Sequence, residues 1–464
     1  LVSALPLDSK LLLIAWDVAS NVMPFFEDGL ENTGNFMLSM YANIFKADAL
    51  ISYQSVRNSV FNTSSETING WAIYLTSSAM LLRVDDATTF NNKTYHAIYP
   101  DSYDSSGFNH VYVSWNGNGV GTKEDPANWT HGYQIVDAYG TIEFVNYGNT
   151  WTNFYNIVIT KPVTVKGNGV TIKSLNRILQ INSNNVCLEN ITLLECGNTD
   201  TQAPIFYSIE QVGLTYNNLV ISNCNFINCT GKLAGVVSGY SGQSVYHTAG
   251  GSIRVINSTF SGNKATNYFD YASTSNNIDY GYIAASAILV RGTVEVVGSV
   301  FIDNIATYGP VINALSSVSI ILTNFTNNTQ STITSSSRSG VTCAGAVYGY
   351  GKISDSRFIG NSAPNAGALN LHGSSIVDNC TFVDNEATAS NGAGGAIYTH
   401  NSLNVYVSNF TNNSAGIGGA VYSISSSGNF LNCNFTNNSA SSNGGIYYTN
   451  NNVASVLTNF VGCN

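Results

Sequence analysis

The sequence predicts an all-β protein built on a right-handed parallel β-helix, in which the chain winds into stacked coils that are called rungs. Three observations predict this fold: a repeated aromatic-x-x-Asn motif, a small-residue motif in phase with it, and very few charges. We expect about ten to twelve rungs, preceded by a small helical or mixed domain. The predicted domains are residues 1–108 and residues 109–464, and the second includes an N-terminal capping segment.

The first motif places an aromatic residue three positions before an asparagine or a cysteine. From Phe325 onward its intervals are 33, 24, 28, 25 and 25 residues, and earlier intervals of 34, 41 and 24 residues fit the same unit with inserted loops. The aromatic residues of the series are Phe226, Phe260, Phe301, Phe325, Phe358, Phe382, Phe410, Phe435 and Phe460. A period near 24 with several short strands is what a parallel β-helix requires, because each period makes one rung and rungs stack about 4.8 Å apart.

The second motif consists of small residues followed by a branched apolar one. It occurs at Ala344–Val347, Ala366–Leu369, Gly394–Ile397, Gly418–Val421 and Asn443–Ile446. Since residues of equal phase lie above one another, we expect an internal stack of Phe rings and a ladder of hydrogen-bonded Asn amides. Gly and Ala fit a corner that has no room for a large side chain. The low charge follows, because like charges would repel along a column.

The composition limits the partners and the location of the protein. Lys and Arg number 17 against 27 Asp and Glu, for a net charge of −10, and no basic cluster occurs. These features argue against nucleic acid and anionic membranes as partners. No apolar run approaches the roughly 18 residues of a membrane span. The chain starts at Leu1 rather than Met, which is consistent with a removed secretion signal. We therefore expect an extracellular, cell-surface or cell-envelope protein.

The paired G-G-A-[I/L/V] and F-x-x-N motifs resemble the repeats of the chlamydial polymorphic outer membrane proteins and of adhesin-like β-helix proteins of methanogenic archaea. The segment Val111–Trp129 is similar to the opening of many such domains, and the resemblance covers roughly Val111 to Asn464. It implies a capping helix around Ala127–Ala138, followed by the first rungs. Its motifs are specific for the fold and name no activity.

The first 108 residues lack these repeats. The segments Lys10–Trp16, Asn21–Phe26 and Asn35–Phe45 carry apolar residues at spacings closer to 3.6 than to 2. They predict a small helical or mixed domain that ends in the linker Pro100–Phe108.

Eight cysteines are present, at positions 187, 196, 224, 229, 343, 380, 433 and 463. Cys196 and Cys229 fall at the ladder position of what we take to be adjacent rungs, so a disulfide between them is geometrically allowed. Buried free thiols are the alternative. Cys463 has no partner in phase, which makes it a candidate for a bond to another molecule.

Thirteen N-x-[ST] sequons permit glycosylation of an exported surface, although a composition rich in Asn and Thr inflates this number. The candidate sites are Asn62, Asn92, Asn128, Asn190, Asn257, Asn324, Asn409 and Asn434.

Two outward columns are candidates for binding. The first, two residues after the motif alanine or glycine, is a tyrosine strip interrupted by Asn370 and made of Tyr348, Tyr398, Tyr422 and Tyr447. It could bind sugars or a protein surface, or stabilise the coil through stacking alone. The second contains His372 and His400 in consecutive rungs. No third ligand is in phase with them, so we interpret them as an exposed pair and predict no metal and no cofactor.

The acidic residues do not predict a catalytic pair. Asp303 and Asp384 share a phase but lie three rungs apart, about 14 Å. Asp378 and Asp384 share a rung but occupy different faces. Asn198-Thr199-Asp200 matches one polygalacturonase tripeptide without the motifs that should accompany it. The sequence therefore predicts no catalytic residue, and we expect a protein that is not an enzyme.

The predicted function is that of an exported, non-catalytic structural protein that self-assembles into an envelope layer, sheath or filament. The last rung, ending at Asn464, has no cap, so we expect either that the native chain continues or that this end docks onto a neighbour. The first alternative is an adhesin whose tyrosine strip binds glycans or neighbouring cells. The second is a polysaccharide lyase or hydrolase. The expected partner is a second copy of the chain, with glycans as the alternative.

Overall fold

The computed structural model describes most of the chain after residue 108 and six short strands before it. The described residues are 53–56, 60–62, 73–74, 81–84, 89–91, 98–99, 108–118, 121–123, 125–145, 150–152, 157–207, 218–239, 251–267, 269–271, 281–331, 343–424, 428–449 and 455–461. The chain forms two compact units, Leu1–Thr141 and Ile142–Asn464. From the sequence we placed the boundary after residue 108.

The described part of the first unit is mainly β-strand. Its early strands are Tyr53–Val56, Val60–Asn62, Ile73–Tyr74, Leu81–Val84, Thr89–Asn91 and Ile98–Tyr99. They pair in parallel, the first three with the last three in order, so that Phe61 lies beside Phe90. These parallel strands are a finding that the sequence did not predict. The predicted helical segments before residue 50 lie outside the described residues.

A helix is present over Trp129–Ile135, inside the segment where the resemblance implied a capping helix, and its capping role stays a prediction. Asn128 is its N-cap residue, and the side-chain oxygen accepts a hydrogen bond from the backbone N–H of His131 at 2.9 Å. This bond satisfies one of the donors that the first helical turn leaves without a partner.

The rest of the chain winds into a parallel β-helix, which confirms the predicted fold class. The opening strands are Phe108–Val113, Val136–Phe144, Thr150–Thr152, Ile157–Ile159, Thr164–Lys173, Leu179–Ile181 and Val186–Leu194. One antiparallel pair of strands, Phe269–Tyr271 with Gly281–Ile283, also occurs in this part of the chain. The repeating rungs have four faces, which we name by their side chains.

The tyrosine face contains Ile205–Tyr207, Val237–Ser238, Ile288–Val290, the start of Ile312–Ile321, the start of Val347–Ser354, Leu369–Leu371, Ile397–Thr399, Val421–Ser423 and Tyr447–Thr449. The charged face contains Leu219–Ser222, Ile253–Ile256, Val294–Val297, the ends of Ile312–Ile321 and Val347–Ser354, Ser375–Asp378, Leu403–Tyr406, and the starts of Gly428–Thr436 and Ser455–Val461. Each strand pairs in parallel with its equivalent in the next rung.

The phenylalanine face contains Asn225–Ile227, Thr259–Ser261, Val300–Ile302, Asn324–Thr326, Arg357–Ile359, Thr381–Val383, Asn409–Thr411 and the end of Gly428–Thr436. The short face contains Thr230–Gly231, Lys264–Ala265, Ile305–Ala306, Thr329–Gln330, Ser362–Ala363, Glu386–Ala387, Ser414–Ile417 and Ser439–Asn443.

The predicted phenylalanine column fills the interior of the coil. From Phe226 to Phe435, consecutive rings are stacked with centroids 4.6 to 5.0 Å apart. All of these rings are buried. Their spacing matches the distance between rungs, so strand pairing and ring packing favour the same register.

The asparagine ladder is also present. It runs through Asn263, Asn304, Asn328, Asn361, Asn385, Asn413 and Asn438, all of which are fully buried. In each step, the side-chain Nδ2 donates to the Oδ1 of the next rung at 2.8 to 3.0 Å. The same Oδ1 also accepts a hydrogen bond from the backbone N–H of the ladder residue in the preceding rung. For example, the N–H of Asn385 donates to the Oδ1 of Asn413. The ladder therefore satisfies both ends of a buried amide, which would otherwise be costly to bury.

The small-residue motif forms a corner in which two backbones nearly touch. A Cβ atom on Gly395 would lie 2.0 Å from the carbonyl oxygen of Gly419, and one on Gly367 would lie equally close to Gly395. Only glycine fits these positions, as the sequence predicted.

Replacing one ladder amide should destabilise the fold strongly. In Asn385→Ala, the bonds to Asn361, Asn413 and the carbonyl of Phe358 are lost and buried polar groups lose their partners. We expect a loss of about 3 kcal/mol in the free energy of unfolding. The control is Asn409→Ala, an exposed Asn that should cost under about 0.5 kcal/mol. Equal costs in urea unfolding would contradict a buried ladder.

Candidate functional site

The tyrosine strip is shorter than the sequence predicted. Tyr398, Tyr422 and Tyr448 are half-buried and stacked, with ring centroids 5.1 and 5.3 Å apart. Tyr348 is only 2% exposed and stacks on His372 instead, with Asn370 between it and Tyr398. The exposed strip is therefore a column of three tyrosines.

The prediction that Tyr447 belongs to this strip is wrong, because the register of the last rung differs by one residue. Tyr447 pairs with Val421, whereas Tyr448 pairs with Tyr422. The register is set by Gly444, which takes the same left-handed conformation as Gly418, with φ of 66° and 65°. Ile446 thus occupies the place of the motif alanine.

Stacking within the strip leaves no free ring face on its central residue, Tyr422. The rings of the strip are parallel within 8°, so each face of Tyr422 is covered by a neighbouring ring. A sugar could meet the hydroxyls but could not lie flat on Tyr422. This geometry favours the stabilising interpretation of the strip over an aromatic sugar platform.

His372 and His400 are half-buried, and not an exposed pair as predicted. The ring of His372 packs face to face on Tyr348 and edge-on to Tyr350, and that of His400 packs edge-on to Tyr398. Burial lowers the pKa of both imidazoles. In the described part of the chain, no three His, Cys, Asp or Glu residues are grouped so that they could hold a metal ion.

Cys196 and Cys229 occupy the ladder position in the two rungs before Asn263, and both are buried free thiols in the structure. Cys463 lies outside the described residues, so its bond to another molecule stays a prediction.

Five of the predicted glycosylation sites are exposed: Asn190, Asn257, Asn324, Asn409 and Asn434. Asn128 is the helix N-cap, the side chain of Asn62 is not described, and Asn92 lies outside the described residues. The fold itself creates the sequons. In Asn257-Ser258-Thr259, the first residue is a corner with φ of 47°, the second points inward and the third outward. Glycosylation stays a prediction.

The strongest candidate site lies at the edge of the charged face. Ser354 and Asp378 are register partners on adjacent rungs, and Asp355 follows Ser354 at the corner. The backbone N–H of Asp355 donates to the carbonyl of Asp378 at 3.0 Å. The two aspartates are therefore direct neighbours, within about one rung spacing of 4.8 Å along the axis.

Both carboxylates are on the surface side of the coil. Asp355 is exposed and Asp378 is half-buried. The Asp355 carboxylate accepts a hydrogen bond from the side-chain amide of Asn379 at 2.8 Å, which fixes its orientation. Burial raises the pKa of the Cys380 thiol to about 12, and the charges of Asp355 and Asp378 add to this shift, as expected if both lie near the same sulfur.

Two cations flank this pair. Lys352 precedes Asp355 on the charged face, and Arg357 follows it on the phenylalanine face. Both are exposed, and neither forms an ion pair with another described residue. In the next rung, Tyr406 lies in register with Asp378. We call Lys352, Asp355, Arg357 and Asp378 the charged corner.

The sequence analysis missed the charged corner because, between different rungs, it compared only residues of equal phase. Asp355 lies three residues before Phe358, and Asp378 lies four before Phe382. A search for acids one position apart in consecutive rungs would have found the pair. Asp378 and Asp384 lie on different faces, as the sequence predicted, because Asp384 lies at the corner after the phenylalanine face.

The comparisons with known proteins are sparse. No family model and no curated protein matches the sequence. One similar solved structure is a GH136 lacto-N-biosidase from Eubacterium ramulus, with 11% identity over 76% of this chain and 67% of that chain and a TM-score of 0.45. Another is a PL6 alginate lyase in complex with a trisaccharide, with 10% identity over 78% of this chain and 87% of that chain and a TM-score of 0.32. At these values, neither activity can be assigned to this chain.

The comparisons nevertheless correct two predictions. Both similar structures are named as enzymes that act on carbohydrate, which contradicts a non-catalytic structural protein that self-assembles into a layer, sheath or filament. It also contradicts the expectation that the protein is not an enzyme, and we retain neither. The error arose because a stacked architecture was taken to imply a building block, although a fold does not determine function.

The resemblance to surface-protein repeats stays a prediction. No helix in the described part of the chain is long and apolar enough to cross a membrane.

The burial of Tyr398 should appear in the dependence of stability on pH. Burial, with a smaller contribution from Tyr422, raises the pKa of Tyr398 to about 12, so the folded state holds the phenol proton more tightly than the unfolded chain does. The stability from this proton is complete below about pH 10 and is lost as pH rises towards 12. Urea unfolding between pH 9 and 12 should show about 1–2 kcal/mol less loss in Tyr398→Phe than in the wild type. Identical losses would contradict this burial.

Proposed function

We propose that the chain is a carbohydrate-active enzyme that cleaves a polysaccharide at the charged corner, as a hydrolase or a lyase. The observation that carries this proposal is the adjacency of Asp355 and Asp378, joined by a backbone hydrogen bond across two rungs. This proposal takes up the second alternative that the sequence left open. An extracellular location, where the chain would meet such polymers, is part of it.

The chemistry of glycoside cleavage explains why two carboxyl groups matter. Hydrolysis uses one carboxyl group to protonate the leaving oxygen and a second as base or nucleophile, roughly 5–9.5 Å apart. Neighbouring residues on adjacent rungs can reach this range without any change of the backbone. The amide of Asn379 holds the Asp355 carboxylate in place, so half of the pair is already oriented.

The charged face also offers a track for a polymer along the axis of the coil. Lys352, Ile376, Asn404 and Asn429 follow one another in register on consecutive rungs. The side chain of Ile376 is exposed, and the amide of Asn429 donates to that of Asn404 at 3.0 Å. Tyr406 adds an aromatic side chain beside Asp378. Amides, one aromatic ring and an exposed apolar group are the contacts that a sugar chain uses.

Removing either carboxylate should slow cleavage strongly while leaving the fold intact. Asp355→Asn is a mild change, because Asn379 occupies the same corner in the next rung, and Asn tolerates the left-handed conformation. Against a panel of polysaccharides, with detection of reducing ends and unsaturated ends, the wild type should release product. Asp355→Asn and Asp378→Asn should each lower kcat about a hundredfold or more.

Asp384→Asn is the matched control, because Asp384 is exposed at the other corner with the same φ of 53° as Asp355. It should retain the wild-type rate. If the two charged-corner variants cleave as fast as Asp384→Asn, the proposed site is wrong. If the wild type binds polymers and cleaves none of them, the enzyme proposal fails.

The cations of the charged corner favour an anionic polymer. Lys352 and Arg357 are exposed on either side of Asp355, so both ammonium and guanidinium groups can meet carboxylates of a uronate chain. Exposed ion pairs contribute about 0.2–1 kcal/mol, so Lys352→Gln or Arg357→Gln should raise KM for a polyuronate about twofold to fivefold. The effect should weaken with added salt, and KM for a neutral polymer should stay the same. Equal effects on both polymers would contradict charge recognition.

A further inference from the structure

The asparagine ladder changes its chemistry at its amino-terminal end. The ladder of amides begins at Asn263, whose side-chain Oδ1 accepts a hydrogen bond from the backbone N–H of Cys229 at 3.0 Å. At the ladder position of the preceding rung stands Cys196. A thiol cannot continue the pattern of paired amides, so these two rungs lack the side-chain bridge that connects those above.

Cys196 and Cys229 are stacked vertically. Leu194 pairs with Ile227 in register, and the carbonyl of Cys196 accepts a bond from the N–H of Thr230 at 2.8 Å. Both side chains are fully buried, and each thiol donates a hydrogen bond to a backbone carbonyl, Cys196 to Ile172 at 3.1 Å and Cys229 to Leu193 at 3.5 Å. A rung spacing of about 4.8 Å lies within the Cα separations of disulfides, about 4.4–6.8 Å.

Three other described cysteines lie outside the ladder. Cys224 and Cys380 belong to a second buried column, in which the backbone N–H of each donates to a serine hydroxyl of the next rung. Cys433 belongs to the same column, and Ser408 lies between it and Cys380. Two rungs, about 9.6 Å, are too far for a disulfide.

We propose that Cys196 and Cys229 form a structural disulfide that continues the asparagine ladder by a covalent bond. Two S–H bonds are broken and one S–S bond forms. The two electrons and two protons pass to a small-molecule disulfide, which is reduced to two thiols. Since both sulfurs are inaccessible in the finished coil, the bond forms while these rungs fold. It closes the segment from residue 197 to residue 228 into a loop, which restricts the unfolded chain.

The test is oxidative refolding of the full chain. The reduced, denatured protein is refolded with a mixture of reduced and oxidised glutathione, and remaining thiols are then blocked at low pH. Peptides are mapped without reduction. We expect one cross-linked peptide pair that contains Cys196 and Cys229, while Cys380 and Cys433 are recovered as blocked thiols. Recovery of Cys196 and Cys229 as blocked thiols, or cross-linked to other cysteines, would overturn the proposal.

Stability provides a second readout that does not need the mapping. A reductant present during refolding should lower the thermal midpoint of the wild type. The same treatment should have no effect on Cys196→Ser or Cys229→Ser. The matched control Cys380→Ser should remain as sensitive to reductant as the wild type, and an insensitive wild type would count against the bond. Peptide mapping of the wild type decides the question if a serine variant does not fold.

Discussion

The buried amide ladder is the interaction on which the rest of the structure depends. Stacked coils of similar sequence could slide past one another, because many registers pair strands equally well. A shift by one residue would carry the Asn side chains out of the ladder and leave buried polar groups without partners. The ladder therefore selects one register over the rungs from Asn263 to Asn438, and the phenylalanine column stabilises the same one.

This register also determines the surface. Once the inward columns are fixed, every outward residue lies a known number of positions from a buried Phe, and neighbours on the surface come from different rungs. Asp355 and Asp378 are 23 positions apart in sequence and are brought together only by stacking. In a chain with 9% charged residues, four such side chains at one corner stand out from the Asn, Ser and Thr that cover the other faces.

The periodic part of the fold could be read from the sequence, since each buried column repeats one residue type. Phe, Asn and Gly recur because each column has one physical requirement: filling the interior, bridging rungs, or clearing a carbonyl oxygen. Tyr447 was misplaced because Ile446 replaces the motif alanine, and the count started from Gly445 instead, one residue too early. The parallel strands before residue 100 carry no such repeated motif and escaped prediction.

The candidate site was harder to predict than the fold. Its residues are not repeated, and the pairing of Asp355 with Asp378 depends on a contact between different phases. The function predicted from the sequence was wrong, because regular stacking describes how the chain is built and not what its surface does. The half-burial of His372 and His400 was also missed, since the packing of Tyr348 and Tyr350 around His372 is a tertiary feature.

The most direct test of the account is hydrogen exchange of asparagine side-chain amides, observed by NMR with selective ¹⁵N-Asn labelling. The Nδ2 groups of Asn328, Asn361, Asn385 and Asn413 each donate two hydrogen bonds inside the coil, so both protons of each amide are bonded. They should exchange at least a thousandfold more slowly than exposed Asn amides such as that of Asn324, which requires an opening free energy of about 4 kcal/mol or more. Exchange of the ladder amides at the rate of the exposed ones would show that these amides are not held by hydrogen bonds between rungs. The register in which the ladder stacks would then be wrong.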